Sequence, residues 1–173
     1  IDGDVDGDGV SDVSLVGSGN AEPNQRVLVA LGGELDMRHL VLRNGVAAFG
    51  SGPASYGGNL FVNDGAEVSF AEGRIENGYA AAGGGIENQG VLVMANASIT
   101  GNRSTGIGGG LSNFGAARLT NVTIADNDAD AAGGGVYSGL YAISVLTLRQ
   151  STVTGNAAGG NGGGVLSQAA GTT

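Results

Sequence analysis

Residues 83–111 read GGGIENQGVLVMANASITGNRSTGIGGGL, a run that begins and ends on the same motif. Gly83-Gly84-Gly85-Ile86 returns as Gly108-Gly109-Gly110-Leu111, then as Gly133-Gly134-Gly135-Val136 and Gly162-Gly163-Gly164-Val165, at steps of 25, 25 and 29 residues. Tyr56-Gly57-Gly58-Asn59 is a weaker earlier copy. A recurring period of this size marks a repeat architecture.

A second motif, aliphatic-x-x-Asn, alternates with the first: Ile99-Thr100-Gly101-Asn102, Ile124-Ala125-Asp126-Asn127 and Val153-Thr154-Gly155-Asn156. Leu42-Arg43-Asn44-Gly45 and Ile75-Glu76-Asn77-Gly78 vary it by one residue. Seven and five residues before each of these aliphatics stands an apolar pair, giving the sets Leu35/Met37/Leu42, Val68/Phe70/Ile75, Leu92/Met94/Ile99, Ala117/Leu119/Ile124 and Leu146/Leu148/Val153. Five sets keep one internal spacing while the gaps between them run from 24 to 33 residues.

Alternation within each pair is the period of a strand, and the gap of five breaks its parity, so a bend must intervene. Each repeat reads as strand, bend, strand, Asn turn, a loop of variable length, the glycines, and another short strand. The expectation is an all-β chain folded as a right-handed parallel β-helix (β-solenoid), with about 25 residues and three short strands per coil. Residues 1–173 make one domain, in which 1–16 hold an Asp-rich loop and a first strand and 25–170 hold the coils. Met37, Phe70, Met94, Leu119 and Leu148 should stack in one internal column, and Leu42, Ile75, Ile99, Ile124 and Val153 in another. Asn102, Asn127 and Asn156 either form a buried amide ladder or simply tolerate a left-handed turn.

Composition narrows the partners. The chain carries a net charge of −9, with no lysine and seven scattered arginines. That disfavours nucleic acid, whose binders carry a basic patch, and anionic membranes. Cysteine is absent, which removes disulfide and thiolate chemistry. No apolar run approaches the roughly 20 residues of a membrane span, so no membrane insertion of this segment is expected. No signal peptide precedes Ile1-Asp2-Gly3-Asp4, so residue 1 is expected to lie within a mature part or a fragment.

The alternation of Gly-Gly-Gly-aliphatic with aliphatic-x-x-Asn over residues 25–170 resembles the repeats of polymorphic outer membrane proteins, which carry Gly-Gly-Ala-Ile and Phe-x-x-Asn. It is similar also to bacterial right-handed β-helix repeat proteins of the cell surface. Gly replaces Ala here, and Ile or Val replaces Phe. The resemblance implies a secreted or cell-surface (extracellular) protein with an adhesive or structural role, and it transfers no catalytic residue.

The N-terminus carries a metal-type pattern. Taking Asp4 as position 1, acids fall at positions 1, 3, 5 and 9 (Asp4, Asp6, Asp8, Asp12), with Gly9 at position 6. Calcium takes six to eight oxygens, and alternate carboxylates around a glycine turn supply them. The carbonyl of Val10 is a further candidate ligand, and Asp2 is placed to complete the shell. Position 12 is Leu15 rather than a bidentate glutamate, so the loop resembles those of thrombospondin type 3 repeats and dockerins more than an EF-hand. Its expected role is to pin the first coil. The alternating run Asp126, Asp128 and Asp130 lacks the glycine and reads as a solvated loop.

Catalysis is not expected. The lone histidine, His39, falls at a bend and reads as an exposed corner residue. Asp36 and Arg38 share an outward face and could pair. Outward acids such as Glu67, Glu72 and Glu76 suit a solvated surface, although two positioned carboxylates would be needed for a hydrolase. Tyr56, Tyr79, Tyr137 and Tyr141 read as loop residues able to line a carbohydrate surface. Three roles follow: a non-catalytic structural or adhesive solenoid with a surface glycan or protein ligand; a subunit of a self-stacking filament; or a carbohydrate-binding or polysaccharide lyase-like β-helix. After Val165-Leu166-Ser167-Gln168 the next apolar pair does not arrive. The closing coil therefore reads as a fragment edge or as an open end that stacks head-to-tail on another copy.

Overall fold

A computed structural model describes residues 1–2, 13–17, 25–47, 52–139 and 144–168. The chain winds as a parallel β-solenoid of about five turns, about 26 residues per turn, with almost no helix. Three parallel sheets of nine, six and five strands run along it. The nine-stranded sheet holds the strand–bend–strand units, which fuse into single strands at Val91–Thr100 and Ala116–Ala125. The six-stranded sheet holds the strands that follow the glycines, such as Ile86–Asn88 and Leu111–Asn113. The five-stranded sheet corrects the sequence reading. The stretch before the glycines, taken as a variable loop, forms paired strands at Tyr79–Ala82, Arg103–Ile107 and Asp128–Ala129.

Row-to-row register follows the apolar sets. Met37 pairs with Phe70, Phe70 with Met94, Met94 with Leu119, and Leu119 with Leu148. Leu42, Ile75, Ile99, Ile124 and Val153 stack in the same way, and Leu60, Ile86, Leu111 and Val136 form a third column. These side chains lie in one core, and burying each contributes about 1.5–3 kcal/mol.

Corners are set by backbone sign. Each coil carries three left-handed residues in fixed columns: His39, Glu72, Asn96, Asn121 and Gln150 at the bend; Asn44, Asn77, Gly101, Asp126 and Gly155 at the next turn; and Gly57, Gly83, Gly108, Gly133 and Gly162 before the six-stranded sheet. A left-handed L-residue costs roughly 1–2 kcal/mol, least for Asn and Asp, which explains their share of the first two columns. The third column is glycine throughout because a Cβ on Gly108 would lie 2.7 Å from the carbonyl carbon of Leu111.

The insertion that stretches one coil to 29 residues does not precede the glycines, as the sequence suggested. Asn127 to Gly133 and Asn156 to Gly162 both span six residues. Between Ser138 and Val145, however, the chain takes seven steps where Asn113 to Ala116 takes three. The coil of Leu42 does lengthen before the glycines, as the sequence suggested: Ala47 and Tyr56, nine residues apart, pair with Ala80 and Ala82, two residues apart.

Candidate functional site

The ladder expected of the asparagines is present and longer than three members. Asn102 Nδ2 donates to Asn127 Oδ1 and Asn127 Nδ2 to Asn156 Oδ1, each at 2.9 Å. Each Oδ1 also accepts the backbone N–H of the matching residue one coil earlier: Gly78 N–H to Asn102 at 2.8 Å, Asn102 N–H to Asn127 at 2.9 Å, and Asn127 N–H to Asn156 at 3.0 Å. The earlier coils have glycine in this slot, Gly45 and Gly78, and their Asn44 and Asn77 sit one residue off in the left-handed column. Asn59 fills the space from the neighbouring sheet. It accepts from Gly45 N–H at 2.9 Å and donates to Asn102 Oδ1 at 3.2 Å. In later coils glycine takes the position of Asn59, where a Cβ on Gly85 would lie 2.9 Å from Asn102 Cγ. Asparagine and glycine have exchanged places between two strands. A second amide column, Asn88 to Asn113 at 2.7 Å and Asn113 to Ser138 Oγ at 3.0 Å, lines another corner.

The calcium-type ligands Asp4, Asp6, Asp8, Val10 and Asp12 lie outside the described residues, but both flanks of their loop lie within them. Asp2 bridges to Arg38, whose N–H donates to the Ile1 carbonyl at 2.8 Å. The strand Val13–Val16 pairs with Leu40–Arg43, beginning at Leu40. Only His39 separates Arg38 from Leu40. Ten residues of sequence thus separate Asp2 and Val13, whose partners Arg38 and Leu40 are separated by one. His39 is not the free corner residue expected: Nδ1 lies 2.8 Å from Asp2 Oδ1 and Nε2 lies 2.6 Å from Glu72 Oε2. A ring carrying both protons donates to both carboxylates.

On the outer face of the nine-stranded sheet, Glu34, Asp36, Glu67, Leu35 and Ser69 line a shallow groove of about 290 Å³. Glu34 and Glu67 are register partners. Asp36 and Arg38 are both exposed, as alternation predicts, but no ion pair joins them among the described residues. Three other outward acids are paired: Glu76 with Arg74 at 3.5 Å, and Asp128 and Asp130 both with Arg103. These pairs are exposed, so each contributes less than about 1 kcal/mol. Among the described residues no group of three or more His, Asp or Glu is arranged to hold a metal.

Sequence reasoning missed Glu87. It alternates with core residues in the strand Ile86–Asn88 and should face solvent, yet it is fully buried. Its column runs Phe61, Glu87, Ser112, Tyr137, all buried. Tyr79 and Tyr137 thus belong to strands rather than loops, and the Tyr137 ring packs 5.9 Å from that of Phe114. Gln89 Nε2 donates to Glu87 Oε1 at 3.2 Å, while Oε2 forms no hydrogen bond of normal geometry among the described residues. Burial pushes the carboxyl up to about 7 from 4.5, against the opposing pull of the Ser112 hydroxyl, the Gln89 amide and the Arg26 charge. Arg26 is half-buried over the Phe61 ring, 5.0 Å from its centroid. It donates to the carbonyls of Tyr56 at 2.9 Å, Gly57 at 3.0 Å and Pro53 at 2.6 Å. Its own burial lowers its pKa, with Glu87 opposing.

No described helix is long and apolar enough to cross a membrane. Neither a family model, nor a curated protein, nor a solved structure matches this chain.

Proposed function

We propose that this chain is a non-catalytic structural and adhesive module of a secreted or cell-surface bacterial protein, akin in its repeats to polymorphic outer membrane proteins. It presents its outer faces to a surface glycan or protein ligand. The observation that carries this reading is the row-to-row register of the core columns and the amide ladder, which places outward side chains of successive coils side by side. A rigid, pre-ordered surface loses little conformational entropy when it binds. The groove of Glu34, Asp36 and Glu67 is a shallow outer feature so placed, and it suits a cationic or hydroxyl-rich ligand.

Calcium belongs to the same proposal. Asp4, Asp6, Asp8, Asp12 and the Val10 carbonyl would hold it, and the ion would neutralise a crowded set of carboxylates. Support comes from the ordered Asp-x-Asp-x-Asp-Gly-x-x-Asp spacing and from the flanks held either side of His39, which lower the entropy cost of closing the loop. The affinity expected is that of extracellular modules, about 10⁻⁴–10⁻³ M.

Calcium titration by calorimetry should give heat and raise the thermal midpoint; neither response at millimolar calcium would remove the metal from the proposal. A panel of acidic and neutral polysaccharides, scored for binding and for new reducing ends or unsaturated products, tests the rest. Binding without product supports an adhesive module, and product formation overturns it.

A further inference from the structure

We propose that the outer facet of the nine-stranded sheet is a self-recognition surface, on which a second copy of this chain packs face to face with its coils running in the opposite direction. The facet is built from five register-matched rows, Gly33–Arg38, Ala66–Ala71, 91–95, 116–120 and Val145–Arg149. Its outward charges are sorted along the stack. The first two rows carry Glu34, Asp36 and Glu67 against one cation, Arg38. The last two carry Arg118 and Arg149 and no acid. The middle row between them is apolar, with Val91, Val93 and Ala95 outward and Val91 39% exposed. The pairing rests on the outer face being a binding surface, and makes its cationic ligand the opposite end of the same facet.

Within one copy these charges are uncompensated. Glu34 and Glu67 are register partners on adjacent rows, and like charges directly opposite each other destabilise a sheet. Among the described residues, no ion pair involves Glu34, Asp36, Glu67, Arg118 or Arg149, and all five are exposed.

A two-fold axis in the interface plane can relate two such facets in either of two ways. Coils running the same way would set acidic rows over acidic rows and arginine rows over arginine rows. Coils running in opposite directions set Val91 and Val93 against their own copies, the Glu67 row over the Arg118 row, and the Glu34 row over the Arg149 row. Each contact is then made twice. Arg118 of the second copy stands one alternation step, about 6.6 Å along the strand, from the position that faces Glu67, within reach of its guanidinium. Asp36 stands in the same relation to Arg149, which offsets the one unfavourable facing, Arg38 over Arg149. Rows about 4.8 Å apart and about 17–20 Å long give a facet of roughly 400–500 Å² per copy. That is about half of a standard stable interface, so the dimer is a weak and transient one.

The test is sedimentation equilibrium of the chain at up to about 1 mM, a range that reveals weak pairs. The parent should dimerise, and about tenfold more weakly in about 0.5 M salt than in about 0.02 M. Glu67→Arg and Arg118→Glu should each weaken self-association about tenfold or more. An equimolar mixture of the two variants should recover it, because both symmetry-related contacts then join opposite charges. Both positions are exposed, and an unchanged urea midpoint checks that each variant folds; the salt comparison needs no variant. A chain that stays monomeric, association that survives both substitutions, or a mixture that pairs no better than either variant alone would overturn the proposal. Polysaccharide bound by a chain that stays monomeric would overturn it and leave the adhesive module standing. Charge-swapped pairing with no polysaccharide bound would support it and leave the second copy as the ligand.

Discussion

Replacing Glu87 by glutamine removes a carboxyl that the fold holds out of water while keeping its shape and its contact with Gln89. The effect should depend on pH in a definite sense. Below about pH 4.5 the carboxyl is protonated in both the folded and the unfolded chain, and ionisation costs nothing. As pH rises from 4.5 to about 7, the unfolded chain releases this proton and the folded chain keeps it, so stability falls. Above that range the proton is lost from both states and the loss is complete. A shift from 4.5 to about 7, at roughly 1.4 kcal/mol for each pKa unit, amounts to about 3 kcal/mol. Glu87→Gln should therefore match the parent near pH 4 and exceed it by about 3 kcal/mol near pH 8, or about 6–12 °C in midpoint for a chain of this size. Urea and thermal unfolding of both proteins across that range measure the difference. A difference that does not change with pH, or a variant less stable at pH 8, would refute the view of Glu87 as a carboxyl held neutral by burial.

Two further predictions concern the core and the ladder. Asn59→Gly and Gly78→Asn should each destabilise, but together by less than their sum, with a favourable coupling of about 1–3 kcal/mol; additive losses in a double-mutant cycle would mean that the two residues do not share one space. Ile99→Ala, in the middle of the core column, should cost about 2–5 kcal/mol, while the exposed Thr123→Ala should stay within about 0.5 kcal/mol, both read by urea unfolding.

The column of Leu42, Ile75, Ile99, Ile124 and Val153 was legible because period-two alternation and one repeated spacing are direct prints of strands and a bend. Asn102, Asn127 and Asn156 were legible for the same reason. Asn59 was not, because it fills a slot on another strand, and only the stacking order tells which slot stands empty. The five-stranded sheet was hidden by its composition: Tyr79–Ala82 and Asp128–Ala129 are short and rich in alanine, with no alternation of apolar and polar residues. Glu87 was hidden because alternation says only which way a side chain points. Arg26, from another coil, packs over the Phe61 ring on that same outer column, an arrangement that local pattern does not reveal. The Asp-rich loop is the converse, a dense pattern in the sequence whose ligands fall outside the described residues.

The bend beside His39 also bears on how such a chain can change. The coils from His39 onward cross this corner with one left-handed residue, whereas ten residues of sequence separate Asp2, paired with Arg38, from Val13, paired with Leu40. Length added at this point is cut off from the register on either side. Asn96 and Asn121 occupy the equivalent corner in the best-buried coils, both on the surface. They are thus natural ports for grafted peptides, where new recognition loops can be acquired one coil at a time without rebuilding the stack.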